Sequence, residues 1–145
     1  MKDSYYKLPL KFGALFNRRE LPKTTLEESI AQYINMVATS SFGECKFDDT
    51  LGCEFWDTDF DLLTDAQSLK NHITKSITET VRKYESRLKL TQVNVGITSH
   101  NLGTGQSQVI RMKKRVSVEI NGFIIKTNRP FLFQGYFYIA PLSYL

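Results

Sequence analysis

Apolar positions along this chain follow a helical period in two places and a strand period after them. Leu26, Ile30, Ile34 and Val37 recur at three- and four-residue spacing, which puts them on one face of a helix. Thr25-Leu26-Glu27-Glu28 precedes them with the form of a capping box, in which a hydroxyl and a carboxylate satisfy free backbone N–H groups reciprocally. Gly43 is a natural stop. A longer stripe runs through Leu69, Ile73, Ile77, Val81, Tyr84 and Leu88, with Asp65 suited to cap its start. It predicts a second helix from about Asp65 to about Arg87.

Beyond Leu88 the period drops to two. Leu90, Val93, Val95 and Ile97 read as a strand with an irregularity near Gln92. Residues 99–105 read as a turn. Val116, Val118 and Ile120 alternate with Arg115, Ser117 and Glu119, so one face is buried and the other wet. Asn121-Gly122 suits a type I′ turn, which needs positive φ at both positions. Phe123-Ile124-Ile125 would then return as a strand, and another would lie in Phe131–Ile139. Residues 1–23 carry apolar weight without a period, bracketed by Pro9 and Pro22, and read as an extended segment. Residues 43–64 form an acidic, aromatic loop.

The expected fold is α+β, with two main helices packed on a small antiparallel sheet of three to four strands. The 145 residues fit one domain. In that domain 1–23 form the N-terminal segment, 24–88 the helical part with its acidic loop 43–64, and 89–145 the C-terminal sheet. No stretch approaches the roughly 20 apolar residues of a membrane helix, and the N-terminus lacks the apolar core of a signal peptide. Cys45 and Cys53 are therefore expected as reduced, structural thiols.

Charge is unevenly distributed. The net charge is +4. Residues 43–65 set Glu44, Asp48, Asp49, Glu54, Asp57, Asp59, Asp61 and Asp65 against Lys46 alone, while residues 66–145 set twelve Lys and Arg against Glu79, Glu85 and Glu119. Such a division suits electrostatically complementary partners, or two solvated faces.

Catalytic and ligand chemistry finds little support. Gly103-Thr104-Gly105 lacks the third glycine and the helix of a phosphate site. Cys45, Cys53, His72 and His100 have no zinc-site spacing. Asp57-Thr58-Asp59-Phe60-Asp61 imitates the start of a calcium loop, but Leu62 and Ser68 stand where glycine and a bidentate Glu are needed. Glu44, Glu54 and Asp57 lie near aromatics and offer a weak carboxylate pair for a muramidase-type hydrolase. Arg111, Lys113, Lys114 and Arg115 form a basic cluster open to nucleic acid but without interleaved aromatics.

Two stretches resemble a known family. Phe42-Gly43-Glu44-Cys45-Lys46-Phe47-Asp48-Asp49-Thr50-Leu51-Gly52, following a helix, is similar to the Gly-Glu-Arg segment and downstream Pro-x-aromatic-Gly of the baseplate wedge proteins of contractile phage tails and of TssE in type VI secretion. Cys45 replaces the arginine, and the proline near Asp49 is missing. Tyr84-Glu85-Ser86-Arg87-Leu88 resembles the Glu-Pro-Arg motif that closes the family's long helix and opens its sheet, with Ser86 for the proline. The first segment with its aromatic sequel resembles Bacteroidetes members of the secretion-system type.

The resemblance implies a structural, non-enzymatic subunit that links the baseplate to the contractile sheath and takes up sheath strands on a sheet edge. Its partners would be sheath subunits and other baseplate wedge proteins, with no cofactor, metal or small-molecule substrate. Its place would be the cytoplasm, near the inner membrane in a secretion system. Glu85 and Arg87 would hold the junction or touch the sheath, Arg87 otherwise simply complementing the helix dipole. Glu44 would belong to the first motif. Arg115, Val116, Val118 and Ile120 would lie on the hairpin that offers the edge. A muramidase and a nucleic-acid binder are the alternatives.

Overall fold

A computed structural model describes residues 5–57, 65–101 and 112–139. The elements are β1 (Tyr5–Tyr6), α1 (Phe12–Phe16), β2 (Lys23–Thr24), α2 (Leu26–Ala38), a 3₁₀ turn (Glu54–Asp57), α3 (Ala66–Tyr84), β3 (Leu88–Asn101), β4 (Met112–Ile124) and β5 (Arg129–Ile139). The α+β expectation holds: helices cover one face of an antiparallel sheet ordered β3-β4-β5, and β1 pairs with β2 apart from it.

Both main helices start where their caps predict. The Thr25 hydroxyl accepts from the Glu28 N–H at 3.2 Å, and Asp65 accepts from the Ser68 N–H at 3.1 Å. Only half of the capping box forms, because the Glu28 carboxylate accepts from the Thr24 hydroxyl instead of reaching back to Thr25. The apolar stripes face inward. Ile30 and Ile34 of α2, Ile73 and Ile77 of α3, and Val116, Ile120 and Ile124 of β4 share one buried cluster with Phe55 and Cys53. Truncating any one of the isoleucines would leave a cavity costing roughly 2–5 kcal/mol. The second helix ends at Tyr84, short of Arg87, and the first at Ala38, before Gly43.

The sheet corrects the expected hairpin. β4 passes straight through Asn121 and Gly122, which pair with Leu132 and Phe131 of β5. The turn instead spans residues 125–128, closed by the Asn128 N–H on the Ile124 carbonyl at 2.7 Å, with Asn128 at φ 52°. Asn tolerates that left-handed conformation better than most residues. Gly122 serves another purpose. β3 has a bulge between Leu90 and Gln92, the irregularity expected near Gln92, and a Cβ at Gly122 would lie 2.5 Å from the Lys89 carbonyl oxygen. The glycine admits a close backbone approach. His100, expected in a turn, lies in β3, which continues to Asn101; the rest of the 99–105 turn lies outside the described residues.

The N-terminal segment is more ordered in outline than a plain extended strand. Tyr5 pairs with Thr24 and Tyr6 with Lys23, so residues 7–22 form a strap with joined ends. Inside it, α1 ends with the Arg18 N–H on the Leu15 carbonyl and the Arg19 N–H on the Ala14 carbonyl. That is a Schellman closure, in which the residue after the cap goes left-handed. Glycine usually stands there; here it is Arg18, at φ 55°, at a cost of about 1 kcal/mol.

Candidate functional site

The helix-to-sheet junction is built from the residues that end α3 and start β3. Glu85 caps α3, its N–H bonded to the Val81 carbonyl at 2.9 Å. Ser86 and Arg87 turn the chain, and Leu88 opens the strand. Glu85 is 3% exposed, and a buried carboxylate needs a partner. Arg87 supplies it in a two-pronged bond, Nε to Oε1 at 2.8 Å and Nη2 to Oε2 at 2.8 Å. The Arg87 N–H adds a third bond, to Oε1 at 3.0 Å. The planar guanidinium fork matches the carboxylate, which a lysine would not. Bonding to Glu85 raises the Arg87 pKa further, against the opposing effect of burial.

Arg87 also gathers the neighbouring elements. Its Nη1 donates to Ser29 Oγ on α2 at 3.0 Å, its guanidinium lies 5.4 Å from the centre of the Tyr5 ring on β1, and its carbonyl accepts from the N–H of Ile125, the first residue after β4, at 2.9 Å. Tyr33 of α2 lies close enough that burial, and then the Glu85 charge, push its phenol pKa up. One ion pair thus ties α2, α3, β1 and the sheet together. Ser29, Tyr5 and Tyr33 carry no local signal for this role, since they are distant in sequence from Glu85 and meet it only through the fold.

The acidic loop packs beside this junction. The Tyr84 hydroxyl donates to the Thr50 carbonyl, joining the last turn of α3 to the loop. Cys53 donates its N–H to the Ser40 carbonyl at 2.9 Å, and the Trp56 indole donates to the Ala38 carbonyl at 2.8 Å. Gly52, at φ 148°, would drive a Cβ to 2.8 Å from the Ser41 carbonyl carbon. Glu44 is exposed and accepts from the Ser41 N–H at 2.8 Å, a loop-closing bond. Thr50 donates to Asp48 from both backbone and hydroxyl, and these bonds lower the Asp48 pKa.

The sheet residues need a second correction. β4 is the central strand, with both backbone edges taken by β3 and β5, so it offers no edge to a partner. Val116, Val118 and Ile120 are buried against the helices because their shared face meets the apolar stripes of α2 and α3. Arg115 lies on the opposite face, stacked 4.1 Å from the centre of the Tyr136 ring. Glu119 on that face accepts from Asn94, Asn121 and Gln134; these bonds, Gln134's first, lower its pKa. Among the described residues, no strand pairs with the outer edge of β3 or of β5.

The alternative chemistries fare poorly at their own residues. Glu44 and Glu54 are both exposed, so neither sits in the apolar pocket that keeps a glycosidase acid protonated. Among the described residues no group of three or more His, Cys, Asp or Glu is placed to hold a metal ion. Strand alternation places Arg115 on the outer face and Lys114 on the Val116 side, which splits the basic cluster; Arg111 lies outside the described residues. No helix among them is long and apolar enough to cross a membrane.

A family model described as baseplate wedge protein gp25 matches residues 24–129, covering α2, the acidic segment, α3, the junction and both strands that follow. The chain belongs to that baseplate wedge family. A structural part in the baseplate of a contractile tail follows from the membership, together with interaction with other baseplate proteins. The fold is similar to the crystal structure of a proposed tail lysozyme from Geobacter sulfurreducens, with a TM-score of 0.63 at 20% identity, covering 83% of this chain and 96% of that one. That likeness concerns the fold alone. No curated protein matches the chain.

Proposed function

We propose that this baseplate wedge protein joins the baseplate of a contractile injection machine, a type VI secretion system or a related tail, to the first sheath subunits, working in the cytoplasm without catalysis. The observation that carries this reading is the family match across the whole junction, where one buried ion pair holds the sheet rigidly on the helices. A rigid sheet with an unpaired edge can accept a strand from a partner, main-chain bonds giving affinity and alternate side chains giving register.

The edge in question is that of β5. β3 carries the bulge, and bulges twist an edge away from regular pairing. β5 runs without a register shift against β4, and it presents Leu132, Tyr136 and Tyr138 on the outer face, where an added strand would lay its own side chains. Pro130 withholds a donor only near the start of the strand.

Deleting the chain from cells that build the particle is expected to abolish sheath assembly, and the wild-type chain to restore it. Sheaths formed in normal number without it would contradict the proposed role.

A further inference from the structure

The strap between β1 and β2 carries a feature that the family match does not include, because the match begins at residue 24. None of the five residues of α1 is buried. Leu10, Phe12, Leu15 and Phe16 are all exposed, Phe16 to 87%. Phe12, Leu15 and Phe16 stand at the i, i+3 and i+4 positions of one helical turn, the spacing of anchors that enter a groove. Lys7 and Lys11 precede them, Arg18 and Arg19 follow, and the acidic neighbour Glu20 lies 3.6 Å from Lys23.

We propose that this tip, resting on the baseplate reading above, docks into an apolar groove with an acidic rim on another protein subunit of the baseplate. Exposed aromatic clusters flanked by Arg are the composition of interface anchors. Two phenylalanines bury roughly 150–250 Å² each, too little for a whole standard interface of about 800 Å² per partner but enough for its centre. The tip is also held in place. Lys7 donates its N–H to the Pro22 carbonyl at 2.9 Å, Leu8 donates to the Gln32 side chain at 2.8 Å, and Tyr5 at the base packs on Arg87. Holding the anchors ready lowers the ordering cost of entering a preformed protein groove; a fluid lipid surface asks for no such placement. Arg18 holds its strained position beside the anchors where glycine would relieve it, and the strain keeps a cation at the rim.

The test titrates full-length chain onto the other baseplate wedge subunits, co-expressed and purified as a complex. Phe12→Asp with Phe16→Asp, and separately Lys11→Glu with Arg19→Glu, should each weaken binding roughly tenfold or more, and wild-type binding should weaken as salt rises. Arg18→Gly should raise the melting temperature yet weaken binding, which a merely structural residue would not do. Variants that bind as the wild type does overturn the docking tip while leaving the baseplate reading intact. Failure of the wild type to bind overturns both. If wedge binding is unchanged but the variants lose attachment to phosphatidylglycerol-containing vesicles, the tip belongs to a membrane and the proposal falls. It falls equally if the wild type self-associates in sedimentation and the variants do not.

Discussion

At the residue scale, the two halves of the junction pair are unequal. Glu85 is almost wholly buried, whereas Arg87 keeps 31% of its side chain exposed. Removing the arginine strands a buried charge, and removing the carboxylate's charge leaves a cation that water can reach. Arg87→Ala should therefore cost about 3–5 kcal/mol, and Glu85→Gln nearer 2 kcal/mol, read as shifts of the urea midpoint at unchanged slope. Equal costs, or the reverse order, would contradict the geometry. Charge reversal at Glu85 tests folding before it tests assembly. Arg87→Lys is the cleaner functional variant, because it keeps the charge and loses the fork. Arg18→Gly should stabilise by about 1 kcal/mol, checked in the same urea experiment; a destabilised variant would mean that Arg18 is not strained.

At the element scale, the helices were legible in the sequence and the sheet's turns were not. A stripe such as Leu69-Ile73-Ile77-Val81 repeats one physical demand over nineteen residues of α3, so local noise averages out. A turn depends on two or three residues. Asn121-Gly122 satisfies a hairpin's φ requirements, yet the glycine stands there for the Lys89 carbonyl on the next strand, a tertiary contact with no local trace. The true turn, Ile125-Lys126-Thr127-Asn128, has no glycine or proline and shows itself only through Asn128. Val116, Val118 and Ile120, which the resemblance places on a hairpin edge, are buried residues of the central strand. Glu85 and Arg87 were legible through the resemblance of Tyr84-Glu85-Ser86-Arg87-Leu88 to the family's Glu-Pro-Arg motif; their partners Ser29 and Tyr5 were not. Gly122→Ala should destabilise by roughly 1–3 kcal/mol from the forced backbone shift. A hairpin turn at 121–122 would instead penalise the alanine through positive φ, and Asn128→Val, costly at positive φ, distinguishes the two: a neutral Asn128→Val would contradict the turn described.

At the scale of the whole molecule, the acidic loop lies beside the junction, while Lys7, Lys11, Arg18 and Arg19 make the strap basic. The carboxylates that matter for pH are the exposed Asp48 and Asp65 and the half-buried Glu119, whose pKa values are all lowered by hydrogen bonds to neighbouring donors. A lowered folded pKa means that the unfolded chain binds protons first as pH falls. The stability these groups contribute is present above the ordinary carboxylate range of about 4 and is lost as pH drops through their folded values. The melting temperature should thus hold level from neutral to mildly acid pH and fall below about 4. Glu119→Gln should shallow that acid limb; an unchanged limb would remove Glu119 from the account. The strap and the β5 edge lie apart in the chain, so a subunit built this way can meet a baseplate neighbour with one and a sheath strand with the other. Electron cryo-microscopy of the assembled particle tests this most directly. The expected result is the three-stranded sheet of this chain at the baseplate with a fourth strand, from a sheath subunit, paired on β5 at about 4.8 Å; a particle that lacks the chain, or holds it with the β5 edge unpaired, would contradict the proposed role.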